Sequence, residues 1–535
     1  MGRPQSRRGT ARACSGDGCP VANRAEQTFV AQSEANVNNT AETTTRPNIL
    51  LIHADQHRFD CLGAYGNPDI QTPNIDALAQ DGVLYEASFC PFPVCTPSRY
   101  SLLSSQYVHQ HLGWTNHCTL PNGIPTYAKV LRANGYKTKA VGKMHFTPTY
   151  LDVGFDEMIL AEQDGPGRFD DDYHRWLREE GLIDAIDLMD QRQEFRRLAP
   201  PVYWETFGAL RSNLDEAHHS TTWIAERAIE TLQSWGEGGG HCLMVGFIKP
   251  HHPFDPPAPW DTMYDPDRLT LLPGWTESPS DEDLAYHAGY FPHTALTEQT
   301  LRRAMAYYYA TISQIDYHVG RMVDLLRRKG LYDNTLIVYT SDHGEYMGFH
   351  HLLLKGNHMY DPLVKVPLII KYPSQTRAGE VVTAQVTNVD VAPTLLRAAG
   401  CEVPDTMQGM DLHDASAGHA YVFAESGHGR AYMVRSKTHK LLLCRDPSQS
   451  RFYDLERDPL ETDNRINDPA YQGMIDEFRE VLNAWALFEA PSQTHLDEDA
   501  PVVRGDNVPH RGDGHVSSLV EYTHERMKQE LKEEV

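Results

Sequence analysis

Hydrophobic positions along the chain fall into two recurring patterns. Short, nearly unbroken apolar runs occur at 48–54 (Asn-Ile-Leu-Leu-Ile-His-Ala), 138–141, 242–248, 335–340 and 364–372. Runs of this length, apolar at both parities, predict strands buried on both faces, as in a parallel sheet. Val83 to Phe89 reads as a further strand. Between them lie segments with helical spacing. Thr72 to Ala79 carries Ile75, Leu78 and Ala79 on one face, and Pro125 to Asn134 has a proline at its start and Gly135 at its end. Asp215 to Trp235 presents Ile224, Ala228, Ile229 and Leu232. Gln299 to Lys329 presents Ile312, Ile315, Val319, Met322 and Leu326. Strands alternating with helices predict an α/β fold, a large mostly parallel sheet sandwiched by helices.

From about Ala415 the pattern changes. Tyr421-Val422-Phe423, Ala431-Tyr432-Met433-Val434 and Lys440-Leu441-Leu442-Leu443 are short runs with polar turns between them, which predicts a small antiparallel sheet. A helix near Gln472 to Leu487 completes a smaller C-terminal α+β subdomain. The expected organisation is a disordered N-terminal extension (1–46), a catalytic domain (47–414), this subdomain (415–492) and a charged, partly extended tail (493–535).

Composition narrows the function. The 535 residues carry a net charge of -25, so no global field attracts phosphates and a nucleic-acid partner is not expected. A local cluster of Lys, Arg and metal can still reverse the potential in one cleft. Nine scattered cysteines form neither a disulfide framework nor paired zinc motifs. The basic start (Arg3, Arg7, Arg8, Arg12) is followed by a polar tract rather than an apolar core, and no run is long enough to span a membrane. A cytoplasmic location is the expectation, with no membrane partner; a homo-oligomer is left open.

The candidate chemistry sits at strand ends, where ligands gather in open α/β sheets. Asp55 and Gln56 follow the first strand, and Asp342 and His343 follow Thr335–Thr340. Lys143 and His145 follow 138–141 and alternate on an extended segment, so both would point the same way. His251 and His252, flanked by prolines, follow 242–248. Asp170-Asp171-Asp172 reads as a solvated acidic loop, His218 and His219 as structural, and 256–297 as a long insertion at the cleft mouth. Cys95 stands directly before a helix start in Cys95-Thr96-Pro97-Ser98-Arg99, near the positive end of a helix dipole. It could be a small buried hydrophobe or an activated thiolate. Arg99, one turn on, would offer a fork of donors to a tetrahedral oxyanion.

Cys-Thr-Pro-Ser-Arg resembles the Cys-X-Pro-Ser-Arg motif of the type I sulfatases, within the alkaline-phosphatase-like superfamily. Further segments resemble the same family in family order: 48–56, Gly142-Lys143-Met144-His145, Pro250-His251-His252-Pro253, and Ser341-Asp342-His343-Gly344-Glu345 through His351, with Lys355 beyond. Phe452-Tyr453-Asp454-Leu455 with Asp458-Pro459 resembles the family's C-terminal subdomain. The resemblance covers roughly residues 47–470. Ser104-Ser105-Gln106 departs from the family's usual Thr-Gly-Arg.

The resemblance implies that a formylglycine-generating maturation enzyme oxidises Cys95 to formylglycine, whose hydrate is the nucleophile. It implies one divalent cation held by Asp55, Gln56, Asp342 and His343 with the modified Cys95. Mostly oxygen ligands suit Ca²⁺, and the one imidazole leaves Mn²⁺ or Mg²⁺ open. Arg99, Lys143 and Lys355 would add positive charge, His251 (or His252) would protonate the leaving alcohol, and His145 would take the second proton. The implied activity is hydrolysis of a small-molecule or carbohydrate sulfate ester. Asp-Gln and Asp-His metal pairs also occur in relatives that cleave phosphonate or phosphate esters, so a phosphonate monoester or phosphodiester hydrolase is the second reading and a catalytically inactive binding protein the third. Lys143 and His145, where those relatives tend to carry hydroxyl residues, favour sulfate. Ile124 to Ala128 with Gly142 to Phe146 looks somewhat like choline-sulfatases.

Overall fold

The structure, a computed structural model, describes residues 46–535 apart from 165, 170, 286–289, 357, 415–417, 428, 493–512, 534 and 535. The expected N-terminal extension, save Arg46, lies outside the described residues, as do Asp170 and the first twenty residues of the tail.

Nine strands form the main sheet: β1 (Asn48–Ala54), β2 (Val83–Phe89), β3 (Lys137–Gly142), β4 (Glu157–Leu160), β5 (His241–Phe247), β6 (Thr335–Ser341), β7 (Lys365–Val366), β8 (Leu368–Lys371) and β9 (Glu380–Thr387). Their order is β4-β3-β5-β1-β6-β8-β2-β7, with β9 also paired to β2. The β3/β4, β3/β5, β1/β5, β1/β6 and β2/β9 pairings are parallel; β8 runs antiparallel to both β6 and β2. The run 364–372 is therefore two strands rather than one. Pro367 has no N–H to give a ladder and interrupts it.

The central strands alternate between two cores. Leu50, Ile52 and Ala54 of β1 pack with the helices Ser220–Ser234 and Glu298–Arg328. Ile49 and Leu51 face the opposite layer, with Tyr127 and Leu131 of one helix and Leu395 and Leu396 of another. Each such buried Leu or Ile contributes roughly 1.5–3 kcal/mol, so the sheet is anchored from both sides. The helix expected from Asp215 begins only at Ser220, capped by the His219 ring, which accepts from Thr221 N.

The smaller sheet is β10 (Val422–Ser426), β11 (Ala431–Arg435), β12 (His439–Cys444) and β13 (Arg451–Asp454), antiparallel throughout. One face (Val422, Ala424, Met433, Leu442) packs on Tyr346, Tyr360 and Leu363 near the strand ends of the large sheet. The other packs under the helix Gln472–Ala484 through Ile475, Phe478 and Leu482.

Part of the tail is helical. Asp513–Glu533 is a helix rather than an extended segment. Leu519 and Met527 are buried, Tyr522 donates to Leu182 O at 2.9 Å, and Arg178 to Ser518 Oγ at 2.9 Å. Glu521, Glu525 and Lys528 are exposed. Asp171 is likewise no solvated loop residue. It is fully buried, caps the helix Asp172–Glu179 by accepting from His174 N at 2.7 Å, and also accepts from Glu162 N at 2.5 Å. Among the described residues no helix is long and apolar enough to cross a membrane.

Candidate active site

Strands β3, β5, β1 and β6 lie side by side and end at one edge, with Gly142 opposite Gly246 and Ala54 opposite both Phe247 and Ser341. The residues that follow them therefore emerge together: Lys143, His251, Asp55 with Gln56, and Asp342 with His343. Strand β2, reversed twice through β8, ends at the same edge. It feeds the helix Cys95–Ser104, all of whose residues are buried. Cys95 is the first residue of this helix, one position further in than expected.

The Cys95 Sγ lies 3.2 Å from Lys355 Nζ, 3.4 Å from His343 Nε2 and 3.6 Å from Asp55 Oδ1. Donor atoms of Asp55, Cys95, Asp342 and His343 all fall within 4.8 Å of one another. Burial alone would raise the Cys95 thiol, and Asp55 adds to that; Lys355, Lys143 and His343 outweigh both and hold it well below the ordinary thiol value. Asp55 is held well below the carboxylate range by Lys143, His251, Arg99 and Lys355 despite full burial. Asp342 is pushed up by burial and by Asp55, against the pull of Arg99.

These residues fit a divalent cation. Two fully buried carboxylates and a buried thiol share one small space. The Gln56 Oε1 points into the interior with no partner among the described residues, while its Nε2 is held by Glu345. His343 Nδ1 is hydrogen-bonded to Gly344 O at 2.9 Å, which fixes the tautomer and leaves the Nε2 lone pair facing the cluster. Gln56 and His145 both adopt left-handed backbone (φ 62 and 58), strain of about 1–3 kcal/mol each of a kind that concentrates at functional sites.

Arg99 departs from its expected role. Its Nε donates to Asp342 Oδ2 (2.9 Å), its Nη2 to Asp55 Oδ2 (2.9 Å) and its Nη1 to Lys143 O (2.6 Å). The guanidinium thus ties the two carboxylates together and positions them. Lys143 Nζ lies 2.8 Å from Asp55 Oδ2 and 3.0 Å from Gln163 Oε1. The shared extended face expected for Lys143 and His145 is absent, because the strand stops at Gly142 and His145 turns left-handed; both nonetheless line the same cavity. The His145 N–H is fixed by the Glu162 carboxylate at 3.0 Å, and its Nδ1 has no partner among the described residues.

The two histidines after β5 separate cleanly. His251 Nε2 lies 2.9 Å from Lys355 Nζ, and its Nδ1 2.6 Å from His252 O. Burial, then Lys355 and Lys143, lower it to about 4, so it is neutral at physiological pH with Nε2 accepting. His252 is turned to Asp190 (2.7 Å) and Phe207 O (2.8 Å), a structural pairing. Sequence reasoning missed Gln163 and Glu162, which support Lys143 and His145, and Tyr290, which lines the cavity from the 256–297 insertion. None stands in a periodic or motif-like context that would have marked it. The cavity above Cys95 has a volume of about 500 Å³, and its outer wall includes Phe92, Trp114, Asn116 and Tyr290.

The family described as sulfatase matches residues 47–401, and the family described as N-sulphoglucosamine sulphohydrolase, C-terminal, matches 348–486. The chain belongs to the sulfatase family. Among its relatives is an arylsulfatase of Clostridium perfringens, 31% identical over 466 residues, 82% of this chain and 94% of the relative. A choline-sulfatase of Rhizobium meliloti is 29% identical over 465 residues, 81% of this chain and 85% of the relative. The solved phosphonate monoester hydrolase of Agrobacterium radiobacter superposes with a TM-score of 0.69 at 25% identity, covering 86% of this sulfatase and all of that chain. The alkaline-phosphatase-like fold expected from the sequence is the fold observed. This sulfatase is a hydrolase of the sulfuric ester type, and its buried Asp/Cys/Asp/His cluster is one that can hold a metal.

Proposed function

We infer that this sulfatase cleaves sulfate monoesters of small alcohols or carbohydrates in the cavity above Cys95. The observation that carries the reading is the gathering of Cys95, the half-buried Lys355 ammonium, the buried Lys143 ammonium and the Asp55/Asp342 pair in one pocket. Asp55, Gln56, Asp342 and His343, with position 95, would hold the cation, and their oxygen-rich set favours Ca²⁺ over Mn²⁺ or Mg²⁺. Formylglycine at position 95, formed by a maturation enzyme, supplies a hydrated aldehyde as nucleophile, and the cation supplies Lewis-acid polarisation of the ester oxygens.

The chain's own residues do the rest. Lys143, locked between Asp55 and Gln163, and Lys355 place positive charge where the transferring group gains negative charge. Lys355 is the charged member of its pair with His251, so the proton for the departing alcohol comes from Lys355, with His251 orienting it. His145, whose Nδ1 is unengaged among the described residues, is free to accept a proton from position 95 in the second half of the cycle.

The test is a turnover screen of aryl, choline and carbohydrate sulfates beside phosphonate monoesters, with mass spectrometry of the peptide bearing position 95. Sulfate turnover accompanied by loss of the Cys95 thiol is expected. Preference for phosphonates would favour the second reading, which the Agrobacterium fold neighbour keeps in view. Full activity with only unmodified cysteine would overturn the formylglycine assignment.

A further inference from the structure

A second cavity, about 590 Å³, adjoins the one above Cys95, and Ser426 and Gly427 line both. It lies on the small sheet, at the turn joining β10 to β11. Its floor is apolar, from Met359, Ala431 and Leu442. Its wall carries Arg430 and Arg445, which face one another across the β11/β12 ladder: Ala431 pairs with Cys444, and Arg445 N donates to Arg430 O at 2.7 Å.

Like charges opposite each other in an antiparallel pair destabilise it. Carboxylates outnumber cationic side chains 73 to 48 in this chain, yet no carboxylate of the described residues pairs with either guanidinium. Asp446, the acidic residue in the lining, is turned away to Ser448 N (3.1 Å), Ser448 Oγ (2.8 Å) and Gln449 Nε2 (3.2 Å). Both arginines are exposed, so their forks are open to a ligand. Guanidinium forks suit planar or tetrahedral oxyanions, sulfate and carboxylate alike.

We propose that this second cavity is a binding subsite for another anionic group, a sulfate or carboxylate, on the same substrate molecule. The inference rests on the reading of the first cavity as a sulfate-ester site and adds the substrate class: an extended, polyanionic oligosaccharide whose neighbouring sugar sits on Met359 and Leu442 while Arg430 and Arg445 hold its charge. A single small sulfate ester would fill the first cavity alone.

Binding of a heparin-derived tetrasaccharide is measured by calorimetry on the Cys95→Ala chain, with and without the double substitution Arg430→Ser/Arg445→Ser. Turnover of 4-nitrophenyl sulfate is measured on the same double variant with Cys95 intact. The double variant is expected to bind the tetrasaccharide at least about ten-fold more weakly, with a shallower salt dependence, while kcat/KM for 4-nitrophenyl sulfate stays within about two-fold of the parent. Tetrasaccharide affinity unchanged by the substitutions, no tetrasaccharide binding to the parent, or an equal loss on 4-nitrophenyl sulfate would overturn the subsite. Failure of the parent to turn over any sulfate ester would instead count against the proposed activity, and the binding arm would still decide the subsite.

Discussion

Replacing Arg99 by Met is the perturbation whose consequences the geometry defines most sharply. The side chain is 1% exposed and its flexible stem is matched in bulk by Met, so the change removes charge and donors more than volume. Three contacts go: Nε to Asp342, Nη2 to Asp55 and Nη1 to Lys143 O. Two of them are hydrogen bonds to ionised carboxylates that are themselves fully buried, each worth about 1.5–3 kcal/mol. Removing one partner of a buried ion pair costs about 3–5 kcal/mol. The two routes agree on a loss of about 3–5 kcal/mol in chelator. Part of it can be relieved if Asp342, already pushed up by burial and by Asp55, takes a proton. The loss should therefore shrink as pH falls. Added divalent cation should recover part of it by pairing the same carboxylates. The assay is the unfolding midpoint with and without chelator, alongside metal content by elemental analysis and kcat on an aryl sulfate. Arg99→Lys should rescue little, because a point charge cannot span both carboxylates. A variant Arg99→Met with parental metal content and kcat within about three-fold would refute the positioning role.

Gln56→Leu should lower divalent-cation affinity at least about ten-fold while circular dichroism stays that of the parent, since it removes the unpartnered Oε1; stoichiometric metal at parental affinity would show that Gln56 is no ligand. His251→Ala, which removes the acceptor that orients Lys355, should lower kcat at least about ten-fold for alkyl sulfates, whose leaving oxygens need a proton, and less for 4-nitrophenyl sulfate; equal losses on both would remove His251 from orienting that proton. Acid stability follows from buried neutral histidines: burial lowers His57 to about 4 and His111 to about 3, against 6.5 when exposed. Folded values below unfolded ones give stability that is complete above pH 6.5 and lost as pH falls toward the folded values, at about 1.4 kcal/mol per unit for each group. His111→Gln should flatten the fall of the unfolding midpoint between pH 6.5 and 4; an unchanged slope would show that His111 protonates without cost.

The strands of the large sheet were legible where apolar residues occupy both faces, as in Asn48–Ala54 and Thr335–Ser341. Two were not. Strand β4 has only four residues, and β9 (Glu-Val-Val-Thr-Ala-Gln-Val-Thr) begins with an exposed polar half that resembles a surface segment. The tail helix was missed for a related reason. Its charges dominate the sequence, and only contact with Leu182 and Arg178 reveals which residues face inward.

The active site shows where such reading stops. Strand ends marked Asp55, Asp342, His343 and Lys143 as candidates, because parallel neighbours in register must deliver their following residues to one edge; the roles came from the resemblance to the sulfatases, which left both His251 and His252 open. Strand ends were not enough to assign charge to partner. Arg99 and Lys143 are both candidate cations of the site in the sequence, yet Arg99 bridges two carboxylates and Lys143 O while Lys143 shares its ammonium between Asp55 and an amide. That amide is itself fixed: Gln163 Nε2 donates to Asp187 Oδ1 (2.9 Å) and His252 O (3.0 Å), which aims its Oε1 at Lys143. A buried Gln twenty residues from Lys143, and a carboxylate twenty-four beyond it, carry no shared pattern. The position of the ammonium is thus set by contacts that exist only after the chain has folded, and the lysine most exposed to misassignment in a sequence is the one whose chemistry depends most on them.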